Sequence, residues 1–155
     1  MAYSTPSIQS TGDLITVTIW NQNVVYNIIA LLPIGLEFFI DGAGGTIPTG
    51  VKGVIEAPAK CTIDRSTLLP DQSGSIKVDI WKCTYAEYDA FSTHPADGDS
   101  ICASAEPEIS SGTKDQDSVL SGWTPDIAAG DILAWTVDSC TDITWCMSSL
   151  KCSRS

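Results

Sequence analysis

Apolar and polar positions alternate through residues 75–82, where Ile76, Val78 and Ile80 are interleaved with Lys77, Asp79 and Trp81. A period of two places three aliphatic side chains on one face of a β-strand and a mixed row on the other. Residues 71–74 supply the small polar run of a turn just before it. The same period recurs where Leu133, Trp135 and Val137 alternate with Ile132, Ala134 and Thr136, and Ile143, Trp145 and Met147 carry it into a last strand. Further strands are expected at 36–41, 51–57 and 61–69, with short pieces near Ile101, Ile109 and Val119. About eight short strands punctuated by Gly, Pro, Asp and Ser predict a mainly β chain, a single β-sandwich or jelly-roll-like domain, and not a βαβ layout. Residues 86–100, polar and carrying Pro95 and Gly98, read as a surface loop with a helical turn at 86–91.

The period changes upstream of Pro33 and Gly35. Trp20, Val24, Ile28 and Leu31 fall at i, i+4, i+8 and i+11, and Val25, Ile29 and Leu32 make a second stripe. Thr16 or Thr18 can cap the start. The chain therefore divides into an N-terminal arm, residues 1–35, holding a short amphipathic helix at about 18–32, and a β domain at 36–155. A short helix apolar on two faces needs cover on two sides. Packing on its own domain is the bland reading. Bundling with copies of itself, or entering a neighbour's groove, is favoured because no second helix offers a partner stripe. Trp20, Val24, Val25, Ile28, Ile29, Leu31 and Leu32 are then the expected assembly interface.

Composition narrows the function. Of 155 residues 43% are hydrophobic and 17% charged, enough apolar material for one core. The formal charge of −11 argues against nucleic acid and anionic membranes as partners. With one histidine, any Ser-His-Asp or Cys-His chemistry must run through His94, which precedes Pro95 in the polar loop and reads as an ordinary exposed residue. No enzyme activity and no cofactor are expected. Residues 1–10 lack the basic and apolar regions of a secretory signal, and Pro33, Gly35 and Glu37 interrupt the longest apolar run, so neither secretion nor a membrane span is expected.

Six cysteines, at 61, 83, 102, 140, 146 and 152, show no Cys-x-x-Cys spacing, which disfavours zinc. Cys146 and Cys152 on one continuous strand would lie about 20 Å apart, too far to bridge. Cys83 and Cys102 flank the long loop and form the candidate disulfide, which would restrain the unfolded chain by about 3 kcal/mol. The alternative is that the cysteines, Cys61 among them, are buried thiols acting as small hydrophobes. Asp41-Gly42 and Asp97-Gly98-Asp99 suit turns better than calcium loops. Five tryptophans, at 20, 81, 123, 135 and 145, belong either to the core or to an outer sheet face that stacks on sugars or subunits.

Residues 10–32 contain Gly12-Asp13-Leu14-Ile15-Thr16 followed by Trp20-Asn21, which resembles the G-D-x-I-T-x-x-x-W-N segment near the N-termini of tailed-bacteriophage virion and tail-fibre proteins. A second stretch runs from residues 39–45 through 49–53 and 68–82 to 122–124, 129–133 and 137–139, and is similar to a β-rich module of tailed-phage structural proteins, most sharply at 71–82. The cysteines depart from that pattern. The resemblance implies a virion structural protein made in the host cytoplasm. A capsid decoration or cement protein contacting major capsid proteins is favoured, since no fibrous shaft is present. The alternative is a short tail fibre or receptor-binding protein touching host surface glycans. Modules of this kind imply a homotrimer, with a dimer on a two-fold axis as the other arrangement.

Overall fold

The computed structural model describes residues 16–21, 24, 28 and 32–154. After a one-turn helix, α1 (Val17–Trp20), come the strands β1 (Ile34–Asp41), β2 (Gly50–Glu56), β3 (Cys61–Pro70), β4 (Gly74–Cys83), β5 (Glu108–Gly112), β6 (Asp115–Asp117), β7 (Asp126–Ile127), β8 (Ile132–Thr141) and β9 (Trp145–Arg154). They form two antiparallel sheets, as expected of a sandwich. One has the order β1-β9-β3-β6, with β7 also pairing β3; the other has the order β2-β8-β4-β5. Consecutive long strands change sheets: β1 to β2, β3 to β4 and β8 to β9 each cross the core. Almost every pairing is therefore between strands distant in sequence.

The inner faces follow the period-two reading. Ile76, Val78 and Ile80 of β4 and Leu133, Trp135 and Val137 of β8 are buried, opposite Ile34, Leu36 and Ile40 of β1 and Leu68 of β3 in one contiguous core. Trp135 is fully enclosed. Its ring stacks on Phe38 of the facing sheet at 5.1 Å between centroids and 11° between planes. Its indole N–H donates to Ser148 Oγ at 2.9 Å, so the one polar atom of the ring is satisfied inside the core. Gly53 makes this possible: a Cβ there would lie 2.9 Å from Phe38 Cζ. The strand is bulged at that point, between Val51 and Gly53.

Several boundaries differ from expectation. Ile101 is buried but lies in an irregular segment, and Val119 is exposed in a turn beside β6, so neither belongs to a strand. β8 ends at Thr141 and Ile143 is buried in the connection. Trp145 then starts β9 with its side chain outward, while Cys146, Ser148, Leu150 and Cys152 face in. The intervening turn resets which face the alternation addresses, which a continuous period cannot register. The helical turn expected at 86–91 closes earlier, through Glu87 and Tyr88 amides donating to the Thr84 carbonyl.

Candidate functional site

The arm begins as its sequence dictates. Thr16 is extended at φ −82° and ψ 161°, and its hydroxyl accepts from the Ile19 amide at 3.2 Å, which satisfies one of the amides a helix start leaves open. Asn21 and Val24 continue in a wider π-type turn and Ile28 is again helical. Of the residues expected at the assembly interface, Trp20 is 52%, Ile28 56% and Leu32 52% exposed, and Val24 is half-buried. Val17 is exposed beside them, and α1 buries no residue. Val25, Ile29 and Leu31 lie outside the described residues. The described arm side chains thus leave large apolar surfaces in water, in a chain whose sandwich core is already filled. Residues 14–36 contain no charged side chain, although the whole chain carries −11, a signal separate from the apolar periodicity. Contact through this stretch brings no like charges together.

The arm enters the sandwich at β1, the edge of its sheet. A cleft of about 310 Å³ opens there, between Pro33, Gly35 and Glu37 on one side and Arg65 and Lys151 on the other.

The segment after β4 is held by carboxylates. Asp79 is 2% exposed. It accepts from the Ile80 amide at 2.7 Å, Trp81 Nε1 at 2.6 Å and Ser100 Oγ at 2.6 Å. Ser100 in turn accepts from the Cys102 amide at 3.1 Å, and Trp81 and Ser100 form an antiparallel bridge. The outward mixed row of β4 is therefore covered at Asp79 and partly covered at Trp81. An aspartate between two apolar strand positions was the only signal of this in the sequence.

His94 is a loop staple. Its Nδ1 lies 2.9 Å from Asp99 Oδ2, which also accepts from the Ala96 amide at 2.9 Å. Asp89 accepts from the Thr93 and His94 amides. The hydrogen bond to Asp99 raises the His94 pKa, with the fields of Asp99, Glu87 and Asp89 acting the same way and partial desolvation opposing. The pair therefore stabilises the loop fully below the ordinary histidine value of about 6.5, and that contribution fades as pH rises through the higher folded value. The protection of the Ala96 amide, its exchange rate set against the intrinsic base-catalysed rate at each pH, is expected to fall across that interval in the native chain and to lose this pH dependence in His94→Gln. Identical profiles for the two would remove the staple.

The candidate disulfide does not form. All six cysteines are free thiols. The Trp81–Ser100 bridge is antiparallel, so Cys102 comes beside Asp79, four residues from Cys83 along β4. That offset is about 13 Å, against the roughly 4.4–6.8 Å between Cα atoms that a disulfide needs. Burial raises the thiols of both residues. It also lifts Cys146 to about 11 and Cys152 to about 12. Cys61 is raised by burial, while a hydrogen bond with Cys152 on the adjacent strand opposes the shift. Protonated, enclosed thiols are poor nucleophiles and pack as small hydrophobes.

The tryptophans divide by depth. Trp135 is central, Trp123 is buried and donates to the Ala105 carbonyl at 2.9 Å, and Trp81 is bound to Asp79. Trp20 and Trp145 are exposed. Trp145 faces Phe39 at 5.5 Å between centroids and 30° between planes, on the outer face of the β1-β9-β3-β6 sheet. Asp41 and Asp117 act as turn formers, accepting from the amides of Ala43 and Val119. No helix among the described residues is long and apolar enough to cross a membrane. No protein family, curated protein or solved structure matches the chain.

Proposed function

We propose that this chain is a non-enzymatic structural protein of a tailed-phage virion, a decoration or cement protein that sits on the capsid surface and binds major capsid proteins. The observation that carries the reading is the uncharged stretch 14–36 of the arm, whose Val17, Trp20, Ile28 and Leu32 stay exposed beside a sandwich with its own core. Apolar surface of that kind is worth about 25 cal/mol per Å² once covered. The resemblance of residues 10–32 and 71–82 to phage virion modules supports the same reading. In it the arms of three copies bundle about a three-fold axis, the sandwich lies over the junction between capsid subunits, and the bound state of the shell gains stability by mass action.

Quantitative mass spectrometry of purified virions tests this. On the order of hundreds of copies per particle are expected, matching a closed symmetric shell, and particles lacking the chain should have heads that rupture on heating while adsorbing normally. A few copies per particle, with intact heads and failed adsorption, would instead identify a receptor-binding protein of the tail.

A further inference from the structure

The register places the outer side chains of one sheet in rows. Phe39 of β1 pairs Met147 of β9, which pairs Leu69 of β3. Lys114 continues that row, because Asp115, the next residue, pairs Leu68. The neighbouring row is polar throughout: Glu37, Ser149, Thr67 and Gln116. On the other side Trp145 leans over Phe39. Trp145 is held by Asp71, which accepts from the Thr144 and Trp145 amides at 3.1 and 3.3 Å and from the Thr144 hydroxyl. Where the apolar row meets β6, an open cleft of about 360 Å³ is lined by Thr67, Leu69, Lys114, Asp115 and Gln116.

We propose that this face is a carbohydrate-binding platform for two or three units of a neutral oligosaccharide, laid across the strands along Phe39, Met147 and Leu69 with its end in the β6 cleft. The apolar strip is a single residue wide and spans about 10 Å from Phe39 to Leu69 at roughly 4.8 Å per strand. Sugar rings have the matching character, with apolar C–H faces for the aromatic side chains and hydroxyl edges for a polar row. The cleft is of ligand size, at the lower end of the usual range of about 300–1,000 Å³.

The area argues against a second copy of the chain as occupant. Phe39, Leu69 and Trp145 are 51%, 47% and 41% exposed, which for side chains of this size leaves about 300 Å², well under the roughly 800 Å² per partner that a stable protein interface buries. The chain's charge of −11, with Glu37 and Asp115 at the site, disfavours anionic sugars. The site is separate from the arm and stands whether or not the arm mediates assembly.

The test is titration of the whole chain with three neutral trisaccharides, an α-1,4-linked glucose trimer, a β-1,4-linked glucose trimer and a β-1,4-linked N-acetylglucosamine trimer, each to about 10 mM. Binding is followed by the indole N–H signals of the tryptophans and the methyl signals of Leu69 and Met147. At least one sugar is expected to shift the Trp145, Leu69 and Met147 signals together. Trp145→Ala and Lys114→Ala should each weaken that binding tenfold or more, while Trp20→Ala leaves it unchanged. Absence of shifts with all three sugars overturns the proposal. So does an equal loss in Trp20→Ala, or a concentration-dependent rise in mass that Trp145→Ala abolishes.

Discussion

Trp135→Ala is expected to lower the stability of the sandwich by about 3–5 kcal/mol, the range for removing a large aromatic from a packed core. Three losses coincide at this position. The ring is fully enclosed, so truncation leaves a cavity between the sheets. Phe38 loses its stacking partner at 5.1 Å. Ser148 Oγ, on a residue 1% exposed, loses its indole donor, and an unsatisfied buried polar atom adds about 1–3 kcal/mol. Since small domains are stable by only about 5–15 kcal/mol, the variant should have a much lower urea midpoint with a similar denaturant slope. Trp135→Phe keeps most of the volume and forfeits the hydrogen bond, so it should fall between the two. Equal midpoints for native chain and Trp135→Ala would show that this residue does not tie the sheets together.

The second large effect concerns assembly. Trp20→Asp combined with Ile28→Asp is expected to leave the unfolding midpoint of the sandwich unchanged, because both side chains are more than half exposed in the single chain. The oligomer proposed above should dissociate. Burying each side chain is worth about 1.5–3 kcal/mol, so the pair removes about 3–6 kcal/mol per subunit. At roughly 1.4 kcal/mol per decade, association weakens by at least a hundredfold, and two charges in the otherwise uncharged stretch 14–36 add repulsion. Sedimentation equilibrium of native and variant chains reads this directly, and a capsid-binding assay reads its consequence. A native chain that is already monomeric, or a variant of unchanged mass and capsid affinity, would take the arm out of assembly.

The amino-acid sequence by itself determined the features that depend on near neighbours along the chain. The alternation in residues 75–82 set the inward row of β4, and that in residues 132–137 set which row of β8 joins the core, Leu133, Trp135 and Val137, although Ile132, Ala134 and Thr136 are buried as well, because side chains two apart on a strand share a face whatever lies beside it. A threonine cap at Thr16 or Thr18 was legible for the same reason, since such a hydroxyl reaches an amide three residues on, and the structure selects Thr16. Exposure of Trp20, Ile28 and Leu32 goes with an apolar arm that meets no complementary helix among the described residues.

Everything that depends on distant partners was decided by the tertiary structure. Period-two patterning names a face and leaves the neighbour open, so the pairing of β9 with both β1 and β3 could not be read from either strand. Trp145 faces outward because the turn after Thr141 resets the alternation, and that reversal creates the aromatic pair with Phe39. Asp79 stands in the outward mixed row of β4 and is buried because residues 100–102 cross β4 at Trp81. The same crossing separates Cys83 from Cys102. Sequence spacing bounds how far apart two residues can be, and only the register of the folded strands brings them together or holds them apart.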